Sequence, residues 1–304
     1  MWLWETLVGL IVWTAKGIAE HATTTRFLAS FGFFLLVVLA QRVAGRLVGY
    51  VAWTRALLKS AAASLGIALL NFSVYPTLLA MTSHGVERLW LFLRVPRLPA
   101  STWQGLPLWL VALIVVVAYD FADYWNHRLM HSKWVWPIHA IHHSDPVITP
   151  LATHRVHPFE GLVMWTSYFV LLGWLNLPQG TLGIGAVILL LHNEYVHMNV
   201  DWNHGPLWFL VASPRFHRWH HADVPQAHGK NLANVFPAFD LLFGTYYNPG
   251  PCTERVGAEG VPENDVVKLM LFPFVAWAKL AGAWTSRLRS RFRRTGDPGS
   301  TPGP

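Results

Sequence analysis

Cysteine is nearly absent from this sequence, in which Cys252 is the sole example. A single cysteine excludes a disulfide framework, a zinc site built from several thiolates and a four-cysteine iron–sulfur cluster. Charged residues are also scarce, because Asp, Glu, Lys and Arg together make up 13% of the 304 residues whereas 53% are hydrophobic. An ordinary soluble domain has about a quarter of its residues charged, so this composition favours a membrane protein.

The basic residues give no sign of a nucleic-acid partner, although the formal net charge is +7. They do not form a face studded with aromatic side chains, and five of the 23 lie in one run, RLRSRFRR, at residues 287–294. A basic segment beside apolar helices is typical of a region that anchors on the cytoplasmic membrane surface. We therefore expect this charge to face a membrane surface and no nucleic acid.

Long apolar runs predict an all-α, integral-membrane helical bundle with about four to six membrane helices, since each crossing needs ~20 mostly apolar residues. Residues 1–18 form either a further crossing or an interfacial helix, and residues 266–280 are predicted to be interfacial because charge interrupts the apolar sequence. The runs predicted to cross are residues 27–48, 61–81, 106–118, 162–177 and 182–191.

The order of these runs predicts a histidine-rich helical cap on the cytoplasmic side of the membrane. The first histidine clusters follow the 106–118 run, and the last cluster follows the paired runs at 162–191, which return the chain to the same side. Basic residues in the 42–59 loop and in the tail fall on that side, which the positive-inside rule makes cytoplasmic. A loop with Arg88 and two further arginines falls on the opposite side and conflicts with this threading.

Sixteen histidines contrast with the scarcity of charge, and eight of them fall in three tight clusters. The spacing is HxxxH in the first cluster and HxxHH in the other two, so each cluster places its imidazoles on one face of a helix. Neutral imidazole is a common nitrogen ligand for iron, zinc and copper, and eight imidazoles exceed the needs of one ion. We therefore predict a site for two metal ions. The clustered residues are His127, His131, His139, His142, His143, His217, His220 and His221.

The residue types alone leave the identity of the metal open. No cysteine or glutamate accompanies the clusters at a spacing typical of thiolate sites or of carboxylate-bridged di-iron bundles. A structural zinc site closes with four ligands and does not need eight. Redox-active iron or copper, or two zinc ions, fit the imidazoles, whereas a haem held by two histidines would leave most of them unused.

The clusters and their flanks resemble the fatty acid hydroxylase and sterol desaturase superfamily of integral-membrane di-iron oxygenases. DFADYWNHRLMH resembles the first histidine box of that family, HAIHHSDP with THRVHPFE the second, and HMNVDWNHGPLWFLVASPRFHRWHH with FDLLFGTYY the third. The resemblance covers residues 119–247. It implies that the eight clustered histidines bind iron and that His197, between the second and third boxes, is a ninth ligand.

Four further residues are predicted to support the ligands. Asp123 lies one helical turn before His127, and metal-bound imidazoles usually donate their second N–H to a carboxylate or a carbonyl oxygen. The resemblance implies a supporting position for His157, in RVHP, and structural positions for Asn231 and Asp240 that brace the third box.

The resemblance also implies an oxidoreductase that uses O2 and two external electrons to hydroxylate or desaturate a C–H bond of a lipid, such as a sterol or a fatty acyl chain. The sequence lacks the HPGG segment typical of cytochrome b5 and a GxGxxG dinucleotide motif, so we expect a separate donor of the ferredoxin or cytochrome b5 type. Two alternatives use the same histidines, namely a zinc-dependent membrane hydrolase or isomerase and a haem electron carrier. The exposed basic residues expected to meet the donor are Arg128, Lys133, Arg155, Arg215, Arg218 and Lys230.

These features divide the chain into four predicted regions. Residues 1–104 hold N-terminal membrane helices, and residues 105–250 form a catalytic domain that resembles the fatty acid hydroxylases and sterol desaturases. Residues 251–286 form an interfacial C-terminal helix, and residues 287–304 form a basic, disordered tail.

Overall fold

A computed structural model of the chain describes residues 55–295, together with residues 32, 35 and 36. The apolar segments predicted at 1–18 and 27–48 and the end of the predicted tail lie outside this described part. Within it the chain is helical and contains no β-strand, as predicted for an all-α protein. The α-helices are α1 (Arg55–Leu93), α2 (Leu108–Met130), α3 (Trp136–His143), α4 (Pro158–Leu172), α5 (Gln179–Val196), α6 (Pro214–His220), α7 (Ala238–Phe243) and α8 (Val266–Thr295).

Three of these helices are long and apolar enough to cross a membrane, namely α1, α2 and the Val266–Arg287 part of α8. The helix predicted at 266–280 is therefore longer than expected, because the apolar sequence AGAW continues it. α8 then runs on to Thr295, so the disordered tail predicted from residue 287 is wrong for residues 287–295. Leucine and arginine are strong helix formers, which accounts for this extension.

α1 is a single helix of 39 residues with Pro76 in its interior, and it includes the loop that the sequence predicts after residue 81. At about 1.5 Å per residue it is roughly 58 Å long, about twice the thickness of a membrane hydrocarbon core. The arginines that conflict with the predicted threading lie at its C-terminal end. Arg97 pairs there with Glu87 and lies over the ring of Trp90, so part of this positive charge is neutralised locally.

The bundle is formed by α1, α2, α4 and α5, with α2 against both α4 and α5 and with α1 against α4. α4 and α5 correspond to the apolar runs predicted to cross at 162–177 and 182–191, but neither is among the described helices that are long and apolar enough to cross by themselves. Two glycines permit close approach of the helices, since a Cβ at Gly185 would overlap the side chain of Val115 and one at Gly161 would lie 3.0 Å from the ring of Tyr75. These contacts bring the walls of the bundle together above the histidine-rich layer.

The opposite face of α2 exposes large apolar side chains at every fourth residue. This spacing forms a stripe along the helix. Its N-terminal part is suited to contact with lipid tails, whereas the rings of Phe121 and Trp125 also contact α7. The residues of the stripe are Trp109, Leu113, Val117, Phe121, Trp125 and Leu129.

The histidine-rich cap consists of α3, α6, α7 and the loops between them, which follow the C-terminal ends of α2 and α5. Arg155 connects this layer to the bundle. Its side chain is fully buried, so the prediction that it is exposed to an electron donor is wrong. Its guanidinium donates hydrogen bonds to Ser60 and Ser64 of α1, to Ser144 after α3 and to the segment before α8. A buried guanidinium requires such partners because an unpaired buried charge is costly.

Candidate metal centre

The structure brings all nine predicted metal-binding histidines together in two groups. Within each group the candidate nitrogen atoms lie within 4.8 Å of one another. Among the described residues, no cysteine or carboxylate belongs to either group. The five-histidine group contains His127, His131, His139, His143 and His220, and the four-histidine group contains His142, His197, His217 and His221.

Each HxxHH box divides its imidazoles between the two groups. In α3, His139 and His143 belong to the five-histidine group, whereas His142 points to the other group. The third box is divided in the opposite sense, since His217 and His221 join the four-histidine group and the remaining histidine joins the five-histidine group. Residues four apart lie one above the other on a helix, which explains why each such pair shares a group.

For several of these imidazoles, a hydrogen bond from Nδ1 determines that Nε2 is the nitrogen available to a metal ion. Neutral imidazole carries one proton, so an Nδ1–H that donates to an oxygen leaves Nε2 with a free lone pair. The Nδ1 bonds run from His127 to Leu232 O (2.8 Å), from His139 to Glu160 Oε1 (2.8 Å), from His142 to Ala152 O (3.2 Å), from His197 to Asn193 O (2.7 Å) and from His220 to Lys230 O (2.8 Å).

The resulting Nε2 lone pairs face one another at short range. Nε2 of His127 lies 3.1 Å from Nε2 of His139 in one group, and Nε2 of His142 lies 3.2 Å from Nε2 of His197 in the other. Two lone pairs at this distance repel each other unless a cation lies between them. Nitrogen ligands at about 2.1 Å from a shared ion are roughly 3 Å apart, so the spacing fits metal binding.

Unpaired buried nitrogens support the same conclusion for the five-histidine group. Nε2 of His131, of His143 and of His220 is buried and has no hydrogen-bond partner in the protein. Buried polar atoms are paired in the great majority of native structures, and coordination of a metal ion would satisfy all three nitrogens.

The electrostatic environment keeps these imidazoles neutral. Burial lowers the pKa of His139 to about 3. Burial, followed by the neighbouring histidines, holds the pKa of His142 and of His221 well below the usual value for histidine. A metal ligand must be unprotonated, so this environment favours coordination at neutral pH.

Glu160 is the main functional residue that the sequence interpretation misses. It is buried at the start of α4, and its carboxylate accepts the Nδ1–H of His139. The available signal is an acidic residue in the first turn of an otherwise apolar helix, directly after the His-Pro of the second box. Such carboxylates orient metal-bound imidazoles and raise their basicity.

His157 contacts none of the nine histidines through its hydrogen bonds and supports them indirectly. Its Nδ1 accepts from the backbone N–H of Phe159 and so caps the N-terminus of α4. Its Nε2 lies 3.3 Å from the carbonyl oxygen of Met270 in α8. His157 thereby fixes the helix that carries Glu160.

The predicted contact between Asp123 and His127 is wrong. Nδ1 of His127, the nitrogen that would donate to a carboxylate, donates to Leu232 O instead, and Nε2 faces His139. Asp123 instead accepts a hydrogen bond from Oη of Tyr168 in α4 at 2.5 Å. The helical spacing does place Asp123 on the side of α2 that carries His127, but its carboxylate lines a cavity.

Asn231 and Asp240 hold the loop that follows the third box through hydrogen bonds. Asn231 has a positive φ of 55° and donates from Nδ2 to the carbonyl oxygens of Phe216 and Tyr247. Asp240 accepts from the backbone N–H groups of Leu232 and Ala233. These bonds fix the position of Leu232 O, which accepts from His127.

Asp120 ties the same loop to α2 and is a second residue that the sequence interpretation misses. It is fully buried, and its carboxylate accepts the backbone N–H groups of Asn234, Val235 and Phe236. Asp120 and Asp240 therefore hold consecutive residues of the loop, 232–236.

A cavity of about 400 Å³ extends from the histidines into the bundle. Its walls come from α1, α2, α4 and α5, and histidines of both groups contribute to its lining. Apolar side chains from α4 and α5, including Met164, Leu189 and Leu190, line it beside the polar Asp123. A long apolar molecule that enters between the helices could therefore place one segment beside both groups of histidines.

Comparison with known proteins shows what this part of the chain is similar to. The family model for fatty acid hydroxylase matches residues 112–245. An ornithine lipid hydroxylase of Rhizobium tropici is 33% identical over 167 residues, which cover 54% of this chain and 50% of that protein. No solved structure matches the chain significantly.

Two further relatives are named as enzymes of alkylglycerols and of very-long-chain aldehydes. An alkylglycerol monooxygenase of Danio rerio is 30% identical over 156 residues, covering 51% of this chain and 32% of that protein. A very-long-chain aldehyde decarbonylase of Oryza sativa subsp. indica is 30% identical over 175 residues, covering 52% and 65%. The chain spans less than two thirds of the length of each of these relatives. All nine histidines lie inside the matched region, so the family model and the histidine boxes point to the same part of the chain.

Proposed function

We propose that the chain is a membrane-bound di-iron oxygenase that acts on a lipid. In hydroxylation, O2, two electrons and two protons convert a C–H bond to C–OH and yield one water. In desaturation, the same reactants remove two hydrogens from adjacent carbons and yield two waters. The single observation that carries this proposal is the pair of all-histidine groups at the end of a cavity between apolar helices.

The nine histidines would hold one iron ion in each group, and the two ions would supply activation of O2. The residues of the chain provide position and environment. The Nδ1 partners hold the imidazoles in one orientation, with Glu160 behind His139. Met164, Leu189 and Leu190 line the approach with apolar surface and exclude water from it.

A lipid substrate follows from where the cavity lies. Its walls are the helices of the bundle, and the N-terminal part of the apolar stripe on α2 is suited to lipid contact. The names of the relatives support the same substrate class, since two of them act on ornithine lipids and alkylglycerols.

The electrons would come from a ferredoxin- or cytochrome b5-type donor that docks on the cytoplasmic face. Arg128 and Lys133 are exposed beside the end of α2, where they would attract an acidic donor. Trp136 lies close by, with its ring centroid 5.1 Å from those of His131 and His143. An aromatic ring between the basic surface and the five-histidine group provides a short route for electrons.

The test is metal analysis of purified protein together with turnover of a lipid extract under O2, with and without a reduced donor. Two irons per chain and a product that requires both O2 and donor are the expected results. Zinc with a product formed in the absence of O2 would indicate a hydrolase or isomerase, and a Soret band would indicate a haem protein; either result contradicts the proposal.

A pair of variants assigns the result to the histidine groups. His143→Ala should lower bound iron and reduce turnover by at least about 100-fold, because it removes a buried imidazole from the five-histidine group. His84→Ala is the matched control, since His84 is exposed on α1 and belongs to neither group. Full iron content and activity in His143→Ala would show that the assignment is wrong.

A further inference from the structure

The cavity has a polar patch where α2 and α4 meet. Asp123 lines the cavity and accepts a hydrogen bond from Tyr168, whose ring lies 5.4 Å from that of Tyr119. Asn126 lines the same cavity, and its Nδ2 is buried without a hydrogen-bond partner in the protein. Ionisable groups at membrane depth are costly, so those that are retained usually have a function.

Asp120, one turn earlier on α2, is a carboxylate with a structural role and differs in its surroundings from Asp123. Asp120 is fully buried and accepts three backbone N–H groups, which accounts for its presence without any ligand. Asp123 is only partly buried, and its surroundings include open volume. A molecule in the cavity would therefore meet the carboxylate of Asp123 and not that of Asp120.

The charge of the cavity selects what can bind there. Two carboxylates line it, Asp123 and Glu160, and none of its lining residues in the described part of the chain is Lys or Arg. Apart from the metal ions that the histidines would hold at one end, the cavity offers an anionic lipid end no counter-charge. At Asp123 such an end would meet a like charge, which is strongly unfavourable. An ammonium or hydroxyl group would instead donate a hydrogen bond to that carboxylate.

The position of the patch limits which carbon can react. Asp123 precedes His127 by four residues on α2, which corresponds to about 6 Å along the helix axis. A lipid group held at Asp123 therefore brings carbons only a few bonds away next to the histidines. A carbon in the middle of a long chain would lie well beyond them.

Resting on the proposed function, we infer that Asp123 and Tyr168 bind a hydrogen-bond-donating group of the lipid substrate, an ammonium or a hydroxyl. This contact directs oxidation to a carbon near that group and excludes lipids whose corresponding end is anionic. Asp123 thus acts as a specificity-determining residue, and Tyr168 orients its carboxylate.

Binding is measured with iron-loaded protein in a neutral detergent without O2, so that no turnover occurs. The probes are a long-chain primary amine, alcohol and carboxylate of equal length. Binding is read from tryptophan fluorescence, and Trp165→Phe identifies the part of the change that comes from the cavity wall among the 17 tryptophans. The amine and the alcohol should bind at least about tenfold more tightly than the carboxylate. Equal binding of all three would overturn the inference.

Variants connect this selectivity to the two residues. Asp123→Asn keeps the shape of the side chain, and it should weaken amine binding about tenfold and strengthen carboxylate binding. The control is Asp265→Asn, at an exposed position at the start of α8, which should change neither affinity. Tyr168→Phe should weaken amine and alcohol binding, whereas Tyr195→Phe, which removes a hydroxyl bonded to His204, should not. Unchanged amine binding in Asp123→Asn at full iron content, or in Tyr168→Phe if the first variant fails to fold, would refute the inference.

Turnover separates this inference from the function on which it rests. With O2 and a donor, fragmentation of the products should place the new oxygen or double bond in the half of the chain next to the amine or hydroxyl. Oxidation without this preference would refute the inference alone. Selective binding with no oxidation of any lipid by the two-iron protein would refute the proposed function and leave the binding site in place.

Discussion

Single hydrogen bonds determine the orientation of the imidazoles. Four of the five Nδ1 partners are backbone carbonyl oxygens, such as Leu232 O behind His127, and the fifth is the carboxylate of Glu160 behind His139. A carbonyl partner depends on the course of the backbone and is little changed by substitution of its residue. Glu160 is therefore the one of these partners that a mutation can remove directly.

Glu160→Gln should weaken iron binding to the five-histidine group by about 10- to 100-fold, because the amide is a weaker acceptor for the Nδ1–H of His139. The measurement is competition for iron with a chelator of known affinity. Glu254→Gln is the control, since Glu254 is exposed and outside the site. Equal affinities in the two variants would mean that the carboxylate has no influence on the metal.

The buried histidines also predict a pH dependence for the metal-free protein. Burial lowers the pKa of His139 to about 3 and holds that of His142 well below normal, whereas the same groups titrate near pH 6.5 when unfolded. Between these values the unfolded state binds more protons, so the free energy of unfolding falls as the pH decreases from about 6.5. The loss is at most about 1.4 kcal/mol per pH unit for each histidine.

Thermal unfolding of chelator-treated protein in detergent, from about pH 7.5 to about pH 4.5, checks this dependence. The unfolding temperature should be constant above about pH 7 and should fall below about pH 6.5. A constant unfolding temperature over the whole range would contradict the burial of neutral imidazoles. His84→Ala should leave the curve unchanged because His84 is exposed.

The histidines that would bind the metal ions could be predicted from sequence more completely than the residues that orient them. The spacing of the clusters and the resemblance select the nine histidines that the structure gathers into two groups. Spacing alone does not predict which histidines of an HxxHH box join which group, because this depends on how α3 and α6 face each other. Asp123 illustrates the same limit, because helical periodicity places it one turn from His127 but does not reveal that Tyr168 lies closer.

Among the elements, α2 serves two environments at once. Its outer stripe of residues four apart, from Trp109 to Leu129, is exposed, and its inner face carries Asp123 and His127 along the cavity. The close packing of α5 against α2 fixes this orientation, and Gly185 is the point of closest approach to Val115. The position of the inner face relative to the histidines therefore depends on a single small residue.

Gly185→Ala should destabilise the protein by about 1–3 kcal/mol, because the added methyl overlaps the stiff side chain of Val115. Gly282→Ala is the matched control in α8, where no atom lies within 4 Å of the added methyl, and it should be neutral or stabilising by up to about 1 kcal/mol. Thermal unfolding in detergent measures both. Similar effects of the two substitutions would show that α2 and α5 are not closely packed there.

The ends of helices were the least predictable elements, for reasons visible in α1 and α8. Hydropathy predicts where an apolar run ends, but α1 continues through Glu87 and Arg88 because no proline lies between Pro76 and Pro96, and it ends just before Arg94, where φ is positive. α8 likewise continues through basic residues to Thr295. Helix propensity and hydropathy are separate properties, and hydropathy alone underestimates helices that leave the membrane.

In the whole molecule, the division of both HxxHH boxes makes the two metal groups one structural unit. α3 and α6 each contribute to both groups, so a shift of either helix changes both. Arg155 joins the same layer to α1 and to the segment before α8, which connects the histidine-rich cap to helices distant in sequence. The cap therefore has a fixed position relative to the bundle, and the side of the membrane on which it lies becomes a testable property of the whole chain.

Cysteines introduced at Lys133 and Gln226 should react with a membrane-impermeant reagent from the cytoplasmic side, and a cysteine at Ser101 should react from the other side. All three positions are exposed, and α2, roughly 34 Å long, separates residue 101 from residue 133 by more than the ~30 Å hydrocarbon core. The native Cys252 is buried and provides the unlabelled background. Labelling of Lys133→Cys and Ser101→Cys from the same side would show that α2 does not cross the membrane. Cytoplasmic labelling of Ser101→Cys alone would place the histidine-rich cap, and with it the electron donor, on the side of the membrane away from the cytoplasm.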